Sequence, residues 1–287
     1  MKWGCTTLLL AALFLVPSCD RPEPAQSSQP SAPPLPEASL PEPTTEIGAK
    51  FMLTIVYDNN EYDPRLKTNW GFSCLVEGTE KTVLFDTGGD SATLLANMKK
   101  LKIDPRRIKA VVLSHIHGDH VGGLGGFLEA NSDVIVYLPQ SFPESFKDRV
   151  RSFGAEVEEV SKAKELFAGV YTTGELGNGI KEQSLIVKTS QGLVVITGCA
   201  HPGVVNVVHK AKHMLAGNPV YLVIGGFHLA GATIPQIRSV IEGFRRLGVR
   251  KVAPCHCSGD KTRRLFREEY GEDYIVSGAG KIFKPVQ

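Results

Sequence analysis

The rest of the chain is arranged around the stretch Ser114-His115-Ile116-His117-Gly118-Asp119-His120, which follows the apolar run Ala110-Val111-Val112-Leu113. It places three imidazoles and one carboxylate directly after a predicted strand. Imidazole and carboxylate are ligands that suit zinc, manganese and iron in proteins. In extended backbone, residues two apart point to the same side, so His115 and His117 can bind one ion. The stretch therefore predicts a metal site at the end of a strand.

The glycines around this stretch predict close backbone packing. Gly118 lets the chain turn sharply, so that Asp119 and His120 begin a helix and face back toward the strand end. The segment Val121-Gly122-Gly123-Leu124 carries little bulk, which indicates that backbone passes close to another part of the molecule.

Composition and charge limit the classes of function. The chain has 287 residues with 42% hydrophobic content, enough for one large domain or two small ones. Its formal net charge of +2 gives no argument for binding nucleic acid. We expect a small-molecule substrate and no nucleic-acid partner.

The first 19 residues have the features of a secretory signal. Met1-Lys2 precedes an apolar run from Leu8 to Val16, too short to span a bilayer. The run ends at Val16-Pro17-Ser18-Cys19, which resembles a bacterial lipoprotein processing site. The sequence predicts an exported protein of the bacterial cell envelope, anchored to the membrane by a lipid at Cys19, on the periplasmic or the outer face. The alternative is ordinary signal cleavage nearby.

Residues 20–46 are rich in Pro, Ser, Glu and Gln and contain almost nothing to bury. Such a composition predicts an extended, disordered tether. The catalytic domain then spans residues 47–287.

Cysteine usage argues against a disulfide scaffold. Without Cys5 and Cys19, only Cys74, Cys199, Cys255 and Cys257 remain. Cys255 and Cys257 flank His256, and this arrangement indicates a site.

Predicted strands come in two series, each with helices between or after the strands. The first series runs from residue 51 to 160 and the second from 169 to 254. Two sheets packed face to face with helices outside explain this order best. We therefore predict an α/β fold, a four-layer αββα sandwich.

Later ligand candidates also follow apolar strands, where binding and catalytic residues are often positioned. Cys199 and His201 follow the strand at 193–196, His228 follows the one at 221–224, and His256 follows Val252-Ala253. His209 and His213 lie four apart on a predicted helix, and we assign them to a solvated helix face.

Together with Leu84-Phe85-Asp86-Thr87-Gly88, the histidine stretch resembles the metallo-β-lactamase superfamily of metal-dependent hydrolases. The motifs Thr197–Gly203, Gly225–Leu229 and Pro254–Gly259 are similar to one branch of it. That branch is often labelled 7,8-dihydropterin-6-yl-methyl-4-(β-D-ribofuranosyl)aminobenzene 5′-phosphate synthase. The resemblance covers residues 50–285 and implies the metallo-β-lactamase fold.

The resemblance also implies one or two divalent metal ions, zinc first, with manganese or iron as alternatives. It assigns His115 and His117 to the first metal, and Asp119, His120 and His256 to the second. Asp86 would orient one of the ligands.

The sequence departs from the superfamily in the middle of the chain. Lys181-Glu182-Gln183-Ser184 stands where a further histidine is expected, and Gly198-Cys199-Ala200-His201 where a bridging aspartate is expected. Two assignments are open: His201 as a first-site ligand, or Cys199 in the bridging position with Glu182 contributing. We favour His201, because an exported thiolate would be prone to oxidation.

These residues predict a hydrolase in which a metal-activated hydroxide attacks an ester, lactone, amide or phosphoester. Asp119 would orient or deprotonate the water, and His228 would act as acid or electrostatic stabiliser. A phosphorylated, pterin-like substrate would need aromatic walls, for which Trp70, Phe72 and Tyr171 are candidates. The competing interpretations are a non-catalytic metal- or ligand-binding lipoprotein and a true β-lactamase.

Overall fold

The computed structural model describes residues 51–284. The signal at 1–19 with Cys19, the tether at 20–46, and residues 47–50 and 285–287 lie outside the described residues. The expectations of export, lipid anchoring and disorder therefore stay predictions. No helix among the described residues is long and apolar enough to cross a membrane.

The first sheet has seven strands in the order β13-β1-β2-β3-β4-β5-β6. Its first members pair antiparallel and β3 to β6 pair parallel. The strands are β1 (Met52–Asp58), β2 (Phe72–Glu77), β3 (Val83–Phe85), β4 (Ala110–Val112), β5 (Ile135–Pro139), β6 (Glu156–Val160) and β13 (Ile282–Phe283).

The second sheet has six strands in the order β12-β11-β10-β9-β8-β7. Strands β7 to β10 pair antiparallel, and β10, β11 and β12 pair parallel. The strands are β7 (Lys162–Phe167), β8 (Val170–Gly174), β9 (Leu185–Thr189), β10 (Gly192–Thr197), β11 (Val220–Gly226) and β12 (Lys251–Cys255).

Helices cover the outer face of each sheet. Hydrophobic side chains of the first four helices pack on the first sheet and those of the last three on the second. The helices are α1 (Ser91–Lys100), α2 (Gly118–Val121), α3 (Leu124–Ala130), α4 (Glu144–Ser152), α5 (Val204–Met214), α6 (Ile234–Leu247) and α7 (Asp260–Tyr270). The predicted four-layer αββα sandwich is confirmed.

The central strands are buried on both faces, as β10 shows. Val194 and Ile196 point into the core between the sheets, whereas Leu193 and Val195 point toward the helices. Successive side chains of a strand alternate between faces, so a strand buried on both sides needs a continuous apolar run. This is why the ligand-bearing strands read as unbroken hydrophobic stretches.

The two predicted series of strands are confirmed, since β1 to β6 lie within residues 51–160 and β8 to β12 span residues 170–255. Three strands and helices were not predicted: β7, α7 and β13. Strand β7 has the charged sequence Lys-Ala-Lys-Glu-Leu-Phe because it lies at the edge of its sheet, where one side of the strand meets solvent. Strand β13 is only two residues long and pairs with β1 across more than two hundred residues of sequence.

The glycine pair after the histidine stretch packs as the sequence indicates. A Cβ on Gly122 would lie 2.1 Å from the carbonyl oxygen of Gly89, and one on Gly123 would lie 2.1 Å from that of Thr87. A side chain at either position would clash with this backbone. Because both residues are glycines, the chain after His120 can lie directly on the loop that follows β3.

Candidate metal centre

Three histidines form the first group of converging ligand atoms. His115 and His117 follow β4, with His115 Nε2 3.1 Å from His117 Nδ1. His201 follows β10, and one ring nitrogen from each of the three lies within 4.8 Å of the others. The alternation expected for extended backbone therefore does bring His115 and His117 together.

Asp119, His120, Cys199 and His256 form a second group, again with ligand atoms within 4.8 Å of one another. Asp119 Oδ2 lies 3.3 Å from His256 Nε2 and 3.7 Å from His120 Nε2. Cys199 Sγ lies 3.2 Å from His120 Nε2 and 3.4 Å from His256 Nε2. Asp119 and His120 lie in α2, as predicted, while His256 directly follows β12.

A third group, Cys199, His201 and His228, links the other two. His228 follows β11, is exposed, and has its ring centroid 4.3 Å from that of His201. The two assignments left open by the sequence are therefore not exclusive, since both Cys199 and His201 reach the cluster.

Glu182 does not contribute a ligand to the metal centre, as one of the two assignments considered. Its carboxylate accepts the backbone N–H groups of Cys199, Ala200 and His201 at 2.9, 2.8 and 2.8 Å. It belongs to none of the three groups of ligand atoms. Glu182 therefore holds the turn that carries Cys199 and His201.

Outward hydrogen bonds orient two of the buried imidazoles. Asp86 Oδ2 lies 2.7 Å from His120 Nδ1 and also accepts the Ser114 hydroxyl at 2.7 Å. Because that hydroxyl donates to Asp86, its oxygen accepts from His115 Nδ1 at 2.9 Å. Both rings thus hold a proton on Nδ1 and turn Nε2 toward the cluster, the arrangement typical of histidine ligands. Asp86 thus contacts a candidate ligand, His120, in the way that the resemblance implies.

His256 is oriented by a residue that the sequence analysis missed. Its Nδ1 lies 2.9 Å from the side-chain oxygen of Asn59, and the Asn59 amide donates to the His256 carbonyl at 3.3 Å. Asn59 directly follows β1. The polar run Asp58-Asn59-Asn60 after an apolar strand is the same signal that marked the other ligands.

Unusual backbone conformations gather at the centre. Asp86, Ala200, His228 and His256 have φ angles of 55°, 63°, 53° and 48°. Such left-handed conformations are unfavourable for residues other than glycine and persist where surrounding contacts hold them. All four residues lie in turns after strands that supply or support the cluster.

Burial and neighbouring charges set the protonation of the cluster. Burial and the adjacent imidazoles hold the pKa of His115 well below its ordinary value, and burial together with His228 lowers the pKa of His201 to about 3. Burial acts in the same direction on His120, but Asp119 and Asp86 outweigh it and raise the pKa to about 9. Burial would raise the pKa of Asp119, but His120 and His256 hold it below its ordinary value. His115 and His201 are therefore neutral imidazoles that can bind a metal ion. A cation that binds His120 would displace its proton.

The donor set fits a metal ion. Nitrogen and sulfur ligands of one tetrahedral zinc lie about 3.3 to 3.6 Å apart, given zinc bond lengths of roughly 2.0 and 2.3 Å. Four of the six distances in the second group, those that join Cys199 Sγ and Asp119 Oδ2 to the Nε2 atoms of His120 and His256, run from 3.2 to 3.7 Å. His201 Nε2 is buried and has no hydrogen-bond partner within residues 51–284. A cation would satisfy this nitrogen.

The three aromatic residues proposed as walls of a substrate site differ in burial. Trp70 is 51% exposed, and its ring centroid lies 4.9 Å from that of His256. Phe72 and Tyr171 are buried in the core, so neither can line a substrate site. His209 and His213 are exposed on α5, as predicted.

The metallo-beta-lactamase superfamily matches residues 71–227, more than half of the chain and most of the candidate metal centre. The chain belongs to this superfamily. The resemblance to the superfamily and the predicted metallo-β-lactamase fold are thereby confirmed. Proteins of this fold commonly bind divalent metal ions, and this chain has candidate ligands for them.

Relatives of this metallo-beta-lactamase-fold protein cover nearly the whole described region. A protein of Methanocaldococcus jannaschii named 7,8-dihydropterin-6-methyl-4-(beta-D-ribofuranosyl)-aminobenzene-5'-phosphate synthase is 33% identical over 279 residues, covering 80% of this chain and 95% of that protein. The crystal structure of Tm1679, a metal-dependent hydrolase of the beta-lactamase superfamily, superposes with a TM-score of 0.70 at 27% identity, covering 83% of this chain and all of that chain. YhfI from Bacillus subtilis shares the fold at a TM-score of 0.60 and 14% identity, covering 82% of this chain and 99% of its own.

Proposed function

We propose that this protein is a metal-dependent hydrolase that cleaves an ester, lactone or phosphoester bond. The observation that carries the proposal is the pair of adjoining ligand groups, one around His201 and one around Asp119. Zinc is the proposed metal, with manganese or iron as alternatives. The first group would hold one ion through His115, His117 and His201, and the second would hold another through Asp119, His120 and His256.

Bound divalent ions would supply Lewis-acid chemistry and a water of lowered pKa. Asp119 is ionised, and its carboxylate faces the centre from α2, so it can accept a proton from an attacking water or hold that water in line. His228 is exposed beside His201, where it can donate a hydrogen bond to an oxygen that gains negative charge. These positions support the roles expected for both residues.

For the substrate we propose a phosphorylated, pterin-like molecule. The exposed ring of Trp70 beside His256 offers a flat surface against which a planar heterocycle could stack. The identity to the M. jannaschii synthase over most of both chains supports this class. It also favours a second candidate function, a synthase reaction on a pterin-related substrate.

The test combines metal analysis with a substrate panel. Purified protein should hold stoichiometric transition metal and turn over at least one member of a panel of phosphoesters, lactones and thioesters. Asp119→Asn should reduce kcat by about a hundredfold or more, the usual contribution of a positioned base. Asp133→Asn is the matched control, because Asp133 is an exposed carboxylate paired with Lys109.

Three outcomes would contradict the hydrolase proposal. Protein without transition metal would remove its basis. Metal-loaded protein that turns over nothing, or an Asp119→Asn variant with unchanged turnover, would favour the binding lipoprotein. Rapid nitrocefin hydrolysis would favour a β-lactamase.

We also propose that the mature protein is exported and membrane-anchored through Cys19, on the basis of the signal and processing motif at its N-terminus. Labelled palmitate should enter the wild-type protein in bacteria and not the Cys19→Ser variant. Wild-type protein without label would point to ordinary signal cleavage, and incorporation that survives the substitution would point to another lipidation site.

A further inference from the structure

The sulfur of Cys199 lies between the ligand groups of the centre. Sγ is 3.2 Å from His120 Nε2 and 3.4 Å from His256 Nε2, and it lies within 4.8 Å of ring nitrogens of His201 and His228. Cys199 thus takes part in two of the three groups, and through His201 it adjoins the third. The sulfur is therefore placed to contact either of two neighbouring ions.

Hydrogen bonding around the sulfur favours a cation. His120 and His256 direct their Nδ1 atoms outward to Asp86 and Asn59, so both Nε2 atoms face Cys199. These two nitrogens lie 3.2 and 3.4 Å from the sulfur. A cation binds the sulfur and both nitrogens together, at separations that match those of zinc ligands.

The backbone of Cys199 is held by hydrogen bonds, and the residue is kept from solvent. Glu182 accepts its backbone N–H, Cys257 Sγ lies 3.7 Å from its carbonyl oxygen, and the residue is only 4% exposed. Oxidation of a cysteine depends on exposure, so burial removes the objection that sequence analysis raised against a thiolate at this position.

We propose that Cys199 binds as a thiolate shared between the two metal positions and makes the centre selective for zinc over manganese. The inference rests on the proposed metal-dependent function. The thiol proton leaves to solvent as the cation binds, and no oxidant or reductant is involved. A soft sulfur ligand suits zinc, whereas manganese prefers oxygen ligands. The thiolate takes the position where the superfamily resemblance led us to expect an aspartate.

The first experiment uses cobalt(II) as a probe on the full-length protein after removal of metal. Cobalt bound to a thiolate gives a charge-transfer band in the near ultraviolet, which oxygen and nitrogen ligands alone do not give. We expect the band in the wild type and in Cys257→Ser, whose thiol lies beside Cys199 outside the ligand groups. We expect Cys199→Ser and Cys199→Asp to bind cobalt without the band.

A second measurement covers the case in which the variants fail to fold. X-ray absorption of the zinc-loaded wild type should show sulfur scattering at about 2.3 Å from zinc. In dialysis against equal zinc and manganese, Cys199→Asp should lower the bound zinc-to-manganese ratio about tenfold or more relative to wild type, the size of effect typical of altered ligand environments.

The outcomes separate this inference from the proposed function. Cobalt or zinc bound without sulfur scattering, or a band that survives in Cys199→Ser, would overturn the shared thiolate and leave the hydrolase proposal intact. Protein that binds no cobalt and no zinc would overturn the proposed function, and the inference with it.

Discussion

The carboxylate of Glu182 accepts the backbone N–H of His201 at 2.8 Å, and so fixes the turn that brings His201 to the metal centre. The next residue, Gln183, acts on the other half of the centre. Its backbone N–H donates to the carbonyl of Ser114 and its side-chain amide to that of Leu113, both at 2.9 Å. Two consecutive residues therefore fix the position of the histidine stretch relative to the Cys199–His201 turn.

We expect Glu182→Gln to weaken metal binding although Glu182 is not among the candidate ligands. The glutamine amide would place a donor against one of the three N–H groups that the carboxylate accepts. A buried donor left unpaired lowers stability by about 1–3 kcal/mol. Changing a residue that orients a metal ligand lowers metal affinity about 10- to 100-fold. Zinc titration against a chromophoric chelator measures the affinity, and chemical denaturation the stability.

Glu175→Gln is the matched control for this substitution. Glu175 also accepts a backbone N–H, that of Ser141 at 2.7 Å, but does not bind the Cys199–His201 turn. Equal zinc affinity in both variants and wild type would show that Glu182 does not position the ligands.

Asn59→Ala should misorient His256. The substitution removes the acceptor for His256 Nδ1, so the ring is free to rotate and its Nε2 is no longer directed at the centre. We expect zinc affinity to fall about 10- to 100-fold with less than about 1 kcal/mol lost in stability of the metal-free protein. Asn69→Ala, in the same loop but bonded to Asp90, should leave affinity unchanged. An unaltered affinity in Asn59→Ala would assign the orientation of His256 to other contacts.

Removal of metal should lower thermal stability. A ligand that binds only the folded state at a hundredfold excess over Kd stabilises it by about 2.7 kcal/mol, which corresponds to roughly 5–10 °C in Tm for a domain of this size. A calorimetric scan with and without chelator measures the shift. His115→Ala should shrink the difference, whereas His209→Ala on the exposed face of α5 should keep it. A chelator effect of the same size in both variants would place the stabilising ion elsewhere.

Gly122→Ala should destabilise the protein by at least about 2 kcal/mol, because the new Cβ would overlap the carbonyl oxygen of Gly89 and separate α2 from the loop after β3. Gly179→Ala adds the same methyl where nothing lies within 4 Å, and should stay within about 0.5 kcal/mol of wild type. Urea denaturation compares the two. Similar stabilities would show that the loop relaxes to admit a side chain.

The fold and half of the metal centre could be predicted well from the sequence, since both depend on local patterns. The apolar strands could be found because strands buried on both faces need unbroken hydrophobic runs. His115, His117, Asp119 and His120 could be grouped because six consecutive residues carry them all. Elements with weak local signals, such as the charged edge strand β7 and the two-residue β13, could not be found in this way.

The second half of the centre depended on long-range pairing. Two alternatives for Cys199, His201 and Glu182 stayed open because the sequence orders their positions but not their side-chain directions. The parallel pairing of β10, β11 and β12 aligns the ends of these strands, and Glu182 then bonds to backbone while Cys199 and His201 both point inward.

A two-sheet α/β protein with a histidine-rich metal motif after β4 could be predicted from the sequence alone, because periodicity and ligand spacing act over a few residues. The three-dimensional structure was needed to establish that Cys199 joins His201 at the centre, that Asn59 orients His256, and that Glu182 holds the turn. These contacts join residues far apart in sequence, and sheet pairing rather than local pattern brings their atoms within bonding distance.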